Sequence, residues 1–217
     1  MSSSSTEDDK SSNGNHQTNI LALGRAGRSA FTPYKSSTVL TNLQRGNVRT
    51  QTIRESQDRT IFELAAQGEL QTHHIDKSNI NETDENNYTL LLWASAYGQL
   101  NTVKTLIEHG ADVNHRGIRG ETAISFASMN GHVHVLRYLL TCNIDVNHCD
   151  EEGNTPLMFA AYNNHALCAH ELIKANADVT CQNSNLDTAY SIAISRKSKQ
   201  VQLILERHIL NQFAETS

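Results

Sequence analysis

Three potential metal ligands fall within six residues of one another in the stretch NNHALCAHE, residues 163–171: His165, Cys168 and His170. Imidazole and thiolate are ordinary donors to zinc, so the stretch reads at first as part of a tetrahedral site. A second group, His148-Cys149-Asp150, sets an imidazole, a thiol and a carboxylate side by side. Being consecutive, these three cannot by themselves form a triad. The chain holds no GxSxG elbow, P-loop, HExxH pair or glycine-rich dinucleotide turn. With no site constellation, the sequence predicts a protein that is not an enzyme, with no catalytic residues and no cofactor.

What positions these residues is a repeat. Thr89, Thr122, Thr155 and Thr188 stand 33 residues apart, and so do Ala94, Ala127, Ala160 and Ala193. Asp112, Asp145 and Asp178 keep the same step, as do Val113, Val146 and Val179, and Ile80-Asn81 lies one period before Val113-Asn114. Several columns in one register mean one supersecondary unit copied along the chain. A single unit cannot bury its apolar face, so the copies must stack to make a core.

Each copy reads as two short helices and a turn. Thr155 suits a helix cap, and Pro156 suits the first helical position, where a missing N–H costs nothing. Ala160 and Ala161 let the first helix lie close to its neighbours. Gly131 supplies a turn of positive φ between the helices. VLRYLL (135–140) and HELI (170–173) supply apolar residues for second helices, and Asp145-Val146-Asn147 leads into a projecting β-turn. Five units can be counted. The first has its glycine, Gly68, 30 residues before Gly98 rather than 33, and a weak second helix around LQTHHIDK. The last has Lys197 in the glycine column and a longer final helix. Atypical terminal copies are expected where they cap a stack.

The register also decides the metal question. His165 shares a column with His132, just after the inter-helix glycine column, which Asn164 occupies. Cys168 shares a packing column with Thr102, Val135 and Val201. His170 shares an outward column with Lys104 and Arg137. Side chains so placed point to different faces of a helix, and the sequence predicts no metal site.

Composition adds limits. Hydrophobic residues make up 38% of the 217 and charged residues 19%, as in soluble globular proteins. No run of about 18 apolar residues is present to span a membrane. MSSSSTEDDKSSNGNHQTN at the start lacks the basic and apolar regions of a secretory signal, and the four cysteines form no CxxC pair. The expectation is reduced thiols in a nuclear and cytoplasmic protein. Residues 1–54 hold seven basic and three acidic side chains, a net of +4, which leaves −9 on residues 55–217 from the total of −5. An acidic folded part makes contact with nucleic acid indirect, through a partner. Ser, Thr, Asn and Gly dominate the start. The expected organisation is a largely disordered arm over 1–55 with a short LTNLQRGN segment (40–47), a repeat domain over 56–212 and a tail over 213–217.

The 33-residue period and GNTPLMFAA (153–161) resemble the ankyrin repeat, and EHGADVN (108–114) resembles its closing loop. The resemblance implies an all-α ankyrin-repeat solenoid of about five helix-turn-helix repeats with β-turn fingers. LTNLQRGN, TIFELAAQGEL (60–70), TLLLWASAYGQ (89–99), ETAISFAS (121–128), GNTPLMFAAYNNHALC (153–168) and KQVQLILERHIL (199–210) together resemble one subfamily, that of RFXANK and ankyrin-repeat family A. Leu90 departs from the subfamily's proline, and Lys197 from its glycine. The resemblance implies an adaptor that binds short peptides of PxLPxL type in a concave groove. It further implies a subunit or cofactor of a regulatory factor X-type transcription complex, whose DNA-binding subunits would be partners. The other reading is a general cytosolic scaffold sequestering a signalling protein or receptor tail.

The groove of a stack is built from turn tips and first helices. Register places Trp93 and Tyr97 on the first helix of repeat two, Phe126 and Met129 on that of repeat three, and Phe159 and Tyr162 on that of repeat four. Such side chains make pockets for Leu and Pro. Trp93, Phe126 and Phe159 share a column that is usually Leu, which leaves core packing open for all three. Glu121 and Asn154 precede the turn threonines, where they would orient a peptide. The expected peptide-binding set is Trp93, Tyr97, Glu121, Phe126, Met129, Phe159 and Tyr162.

Overall fold

The computed structural model describes residues 59–215, Lys77 excepted. The expected arm, with its LTNLQRGN segment, lies outside the described residues. Among those described, the regular structure is helical: α1 (Ile61–Gln67), α2 (Leu90–Ala96), α3 (Leu100–Glu108), α4 (Ala123–Met129), α5 (Val133–Thr141), α6 (Pro156–Tyr162), α7 (Ala166–Lys174), α8 (Ala189–Ser195) and α9 (Lys199–Glu215). The last helix thus runs past residue 212. One isolated β-bridge, Thr83 to Thr89, is the only β pairing among the described residues. In repeat one the second helix is reduced to a 3-10 turn over Thr72–His74, as the short spacing there predicts.

First helices α1, α2, α4, α6 and α8 pack side by side as one layer. Second helices α3, α5, α7 and α9 form another against it. The core lies between the layers and is as periodic as the sequence. Ala94, Ala127, Ala160 and Ala193 are all fully buried, and so are Leu106, Leu139, Leu172 and Leu205. Small side chains let the first helices approach, and each buried Leu contributes about 1.5–3 kcal/mol by leaving water.

Helix starts follow the cap logic. Thr60, Thr89, Thr155 and Thr188 each accept a hydrogen bond from a backbone N–H in the first turn. Thr122 differs: its hydroxyl lies 3.0 Å from the Ser125 hydroxyl and makes no cap bond. Helix ends are bracketed across repeats by one column. Gln99 Nε2, His132 Nε2 and His165 Nε2 donate to the carbonyls of Ala66, Ala96 and Met129 at 2.9, 3.0 and 3.0 Å. Each bracketing side chain lies close against the preceding glycine. A Cβ added at Gly68, Gly98 or Gly131 would come within 2.5, 2.5 and 2.6 Å of Gln99, His132 and His165. Asn164 and Lys197 hold the same positive φ, 58° in both. Asn164 precedes the small Ser198 in the next repeat's bracket column, and Lys197 has no following repeat, so neither needs the missing Cβ.

The turns between repeats form a ladder of fingers. Ile118 N, Glu151 N and Ser184 N donate to Asn86 O, Arg119 O and Glu152 O of the preceding finger at 3.0, 3.0 and 2.8 Å. Within fingers, Asp84, Asp150 and Asn183 each fold a side-chain oxygen onto two backbone N–H groups further along. The corresponding residue of the second finger is Gly117, which has no oxygen to offer.

Candidate functional site

His165, Cys168 and His170 do not converge. His165 is committed to the Met129 carbonyl. Cys168 is only 1% exposed, and burial pushes its thiol up to about 11, far from an easily formed thiolate. His170 is exposed on the outer side of α7. Among the described residues no three His, Cys, Asp or Glu side chains are grouped to hold a metal ion. His148, of the other cluster, donates from Nε2 to Gly120 O at 3.0 Å, and Asp150 holds its own finger together. Both do structural work.

The seven residues predicted to contact a peptide separate by depth. Glu121 is 1% exposed. Its carboxylate accepts from Tyr88 Oη at 3.2 Å and from Arg119 N at 3.0 Å. It supplies from four residues downstream the oxygen that Gly117 lacks, and so closes the finger. Gly117 is small for a reason too: a Cβ there would stand 2.4 Å from the Tyr88 ring. Glu121, expected to orient a peptide, is therefore held inside the finger rather than displayed at its tip. Asn154, also 1% exposed, is bound by Asn183 Nδ2 at 3.0 Å. Phe126 and Phe159, at 4% and 2% exposed, belong to the core. Phe126 packs edge-on to Tyr88, with ring centroids 5.3 Å apart.

Trp93, Tyr97, Met129 and Tyr162 remain half-buried at the surface. Trp93 and Tyr97 lie one helical turn apart, and their rings stack nearly parallel, 9° between planes and 6.1 Å between centroids. The indole Nε1–H donates to Asp84 Oδ2 at 3.0 Å, which fixes the ring. Met129 ends α4 and Tyr162 ends α6, on successive neighbours of α2 in the first-helix layer. These four half-buried apolar and aromatic side chains are spread over the first helices of three successive repeats.

Two residues escaped the sequence reading. Asp84 anchors Trp93; its signal was the column it shares with Asp150 and Asn183. Arg196 sets its guanidinium carbon 3.9 Å from the centroid of the Tyr162 ring. Its signal was the column it shares with Tyr97, Asn130 and Asn163.

Paired helices, capping threonines, bracketed glycine turns and a finger ladder at one period define a helical-repeat interaction scaffold. Residues 111–183 and 126–214 match the family described as ankyrin repeats (3 copies), and residues 86–118 match the single ankyrin repeat. The chain belongs to the ankyrin-repeat family. It is 44% identical over 85 residues to ankyrin repeat family A protein 2 of Homo sapiens, covering 38% of this chain and 27% of that protein. It is 45% identical over 82 residues to DNA-binding protein RFXANK of Homo sapiens, covering 36% of this chain and 32% of that protein. A stretch of 62 residues is 44% identical to palmitoyltransferase akr1 of Schizosaccharomyces pombe, covering 27% of this chain and 10% of that protein. The matches thus span about a third or less of each relative's length. The first two relatives are those of the subfamily whose motifs the sequence shares.

Proposed function

We propose that the chain is a non-catalytic adaptor that binds short peptides of PxLPxL type along the first-helix layer. The observation that carries this reading is the half-buried set of Trp93, Tyr97, Met129 and Tyr162 across three stacked repeats. Peptides alternating Pro and Leu are partly preordered as extended chains and lose less entropy on docking. They need shallow apolar pockets at intervals, which fixed aromatic rings and a flexible thioether provide. The contact set narrows to those four side chains, with Phe126 and Phe159 as the floor beneath them.

Similarity to DNA-binding protein RFXANK supports a role in a regulatory factor X-type transcription complex. Nucleus and cytoplasm are the compartments proposed for it. The net −9 of residues 55–217 makes DNA contact indirect, through a basic partner subunit. The match to akr1 favours no catalytic reading, since it covers only a tenth of that protein. Fluorescence anisotropy with a labelled PxLPxL peptide tests the groove, and co-purification with regulatory factor X-type subunits tests the complex. Saturable binding lost on Tyr162→Ala supports the first. Failure of the parent to bind any such peptide defeats it.

A further inference from the structure

Arg196 fills the column that carries Asn130 and Asn163 in the two preceding repeats. Those asparagines bond across neighbouring repeats: each donates from Nδ2 to the carbonyl ending the previous first helix, Ala96 at 3.0 Å and Met129 at 2.8 Å. Arg196 departs from the pattern. Its side chain lies over the face of the Tyr162 ring, 3.9 Å from the centroid. A guanidinium seated on an aromatic face keeps the N–H donors at its edge directed outward. Arg196 is exposed and makes no ion pair among the described residues. It is therefore a positioned cation whose donors still face solvent, beside one of the four groove side chains.

Its immediate neighbours carry the same sign: Lys197 and Lys199 are exposed beside it. Asp187 and Glu206 flank that run, and Glu206 already accepts from Tyr190 and Gln202. A ligand that extends past Tyr162 toward repeat five meets Arg196 beside two lysines, and charge complementarity there favours a carboxylate.

We propose that Arg196 is the specificity-determining residue at the repeat-five end of the groove, reading a carboxylate side chain that the peptide carries just beyond its Pro/Leu core. This rests on the peptide-binding reading above and deepens it. The occupant is a Pro/Leu-rich segment of a partner protein with an Asp or Glu next to the apolar residue that covers Tyr162. Stacking on Tyr162 restricts the arginine before the ligand arrives, so less rotamer freedom is lost when the ion pair forms. The pair stays solvent-exposed, which limits the gain to about two- to fivefold in affinity.

The test uses the full chain and four labelled PxLPxL peptides, with a single Glu or Gln one residue beyond either end of the core. The parent is expected to bind one Glu peptide about two- to fivefold tighter than its Gln counterpart at low salt. The preference should shrink as salt shortens the Debye length. In Arg196→Gln the Glu-to-Gln ratio is expected to fall to about one, with the far-ultraviolet helical signal unchanged, and the end that shows the preference gives the direction of binding. If the parent binds Glu and Gln peptides equally at both placements, Arg196 reads no carboxylate, although the groove stands. A preference that survives Arg196→Gln also overturns the assignment. If no peptide of the four binds the parent, the groove reading itself fails and this one falls with it.

Discussion

His165 donates from Nε2 to the carbonyl oxygen of Met129 at 3.0 Å while its Nδ1 lies 2.6 Å from where a Cβ on Gly131 would stand. One imidazole thus ties repeat four to repeat three and requires a residue without a side chain in the turn beneath it. The same pairing joins His132 to Gly98. Where the bracket residue is small or absent, as after Asn164 and Lys197, the glycine is absent too.

Gly131→Ala is accordingly expected to cost more than the 1 kcal/mol or so of placing a side chain at positive φ, because the methyl also meets the His165 ring. Lys197→Gly, at the same backbone angle with no ring above it, is expected to stabilise by about 0.5–1 kcal/mol. Urea unfolding of the two variants checks both signs. Equal and small effects would mean that the bracket does not constrain the turn.

The bracket histidine of repeat three, His132, gives the fold a pH response. Burial holds the His132 imidazole below its ordinary range. As pH falls, the unfolded chain therefore takes up its proton first. The contribution is nil above about pH 6.5, and stability is lost as the pH drops below that value. Gln99 makes the same kind of bracket with an amide that does not titrate. His132→Gln should keep the bond to Ala96 O and reduce the fall in melting temperature between pH 7.5 and 5.5. An identical fall in parent and variant would remove His132 from the account.

Glu121→Ala should destabilise the fold by about 1–3 kcal/mol, since it strands the Arg119 N–H and the Tyr88 hydroxyl that now donate to the carboxylate. Peptide affinity measured well below the melting temperature should stay within about twofold. A large loss of affinity with unchanged stability would return Glu121 to the binding surface.

Tyr162→Ala and Met129→Ala should each weaken a PxLPxL peptide by about thirtyfold or more, the usual cost of truncating an anchor, and leave the melting curve nearly unchanged. Phe159→Ala should do the reverse. It removes a ring that is only 2% exposed, at about 3–5 kcal/mol of stability. Titration calorimetry beside thermal denaturation separates the two patterns. Variants at 129 and 162 that stay folded and bind as tightly as the parent would move the site elsewhere on the chain.

The sequence by itself determined the architecture, because a 33-residue period is local information repeated. The threonine and alanine columns, the short first repeat and the longer final helix were legible from columns alone. Register likewise separated His165, Cys168 and His170 without any coordinates. Tertiary structure decided what depends on a neighbouring repeat. A column states which way a side chain points, but not how deep its neighbours leave it. Phe126 and Phe159 sink into the core while Trp93, in the same column, stays half open beside Tyr97 and Asp84. Glu121 turns inward because Gly117, four residues earlier, has no oxygen for its finger and leaves room for the Tyr88 ring from the repeat before. Arg196 finds the ring of Tyr162 because the two lie 34 residues apart on neighbouring helices, a distance only stacking can close.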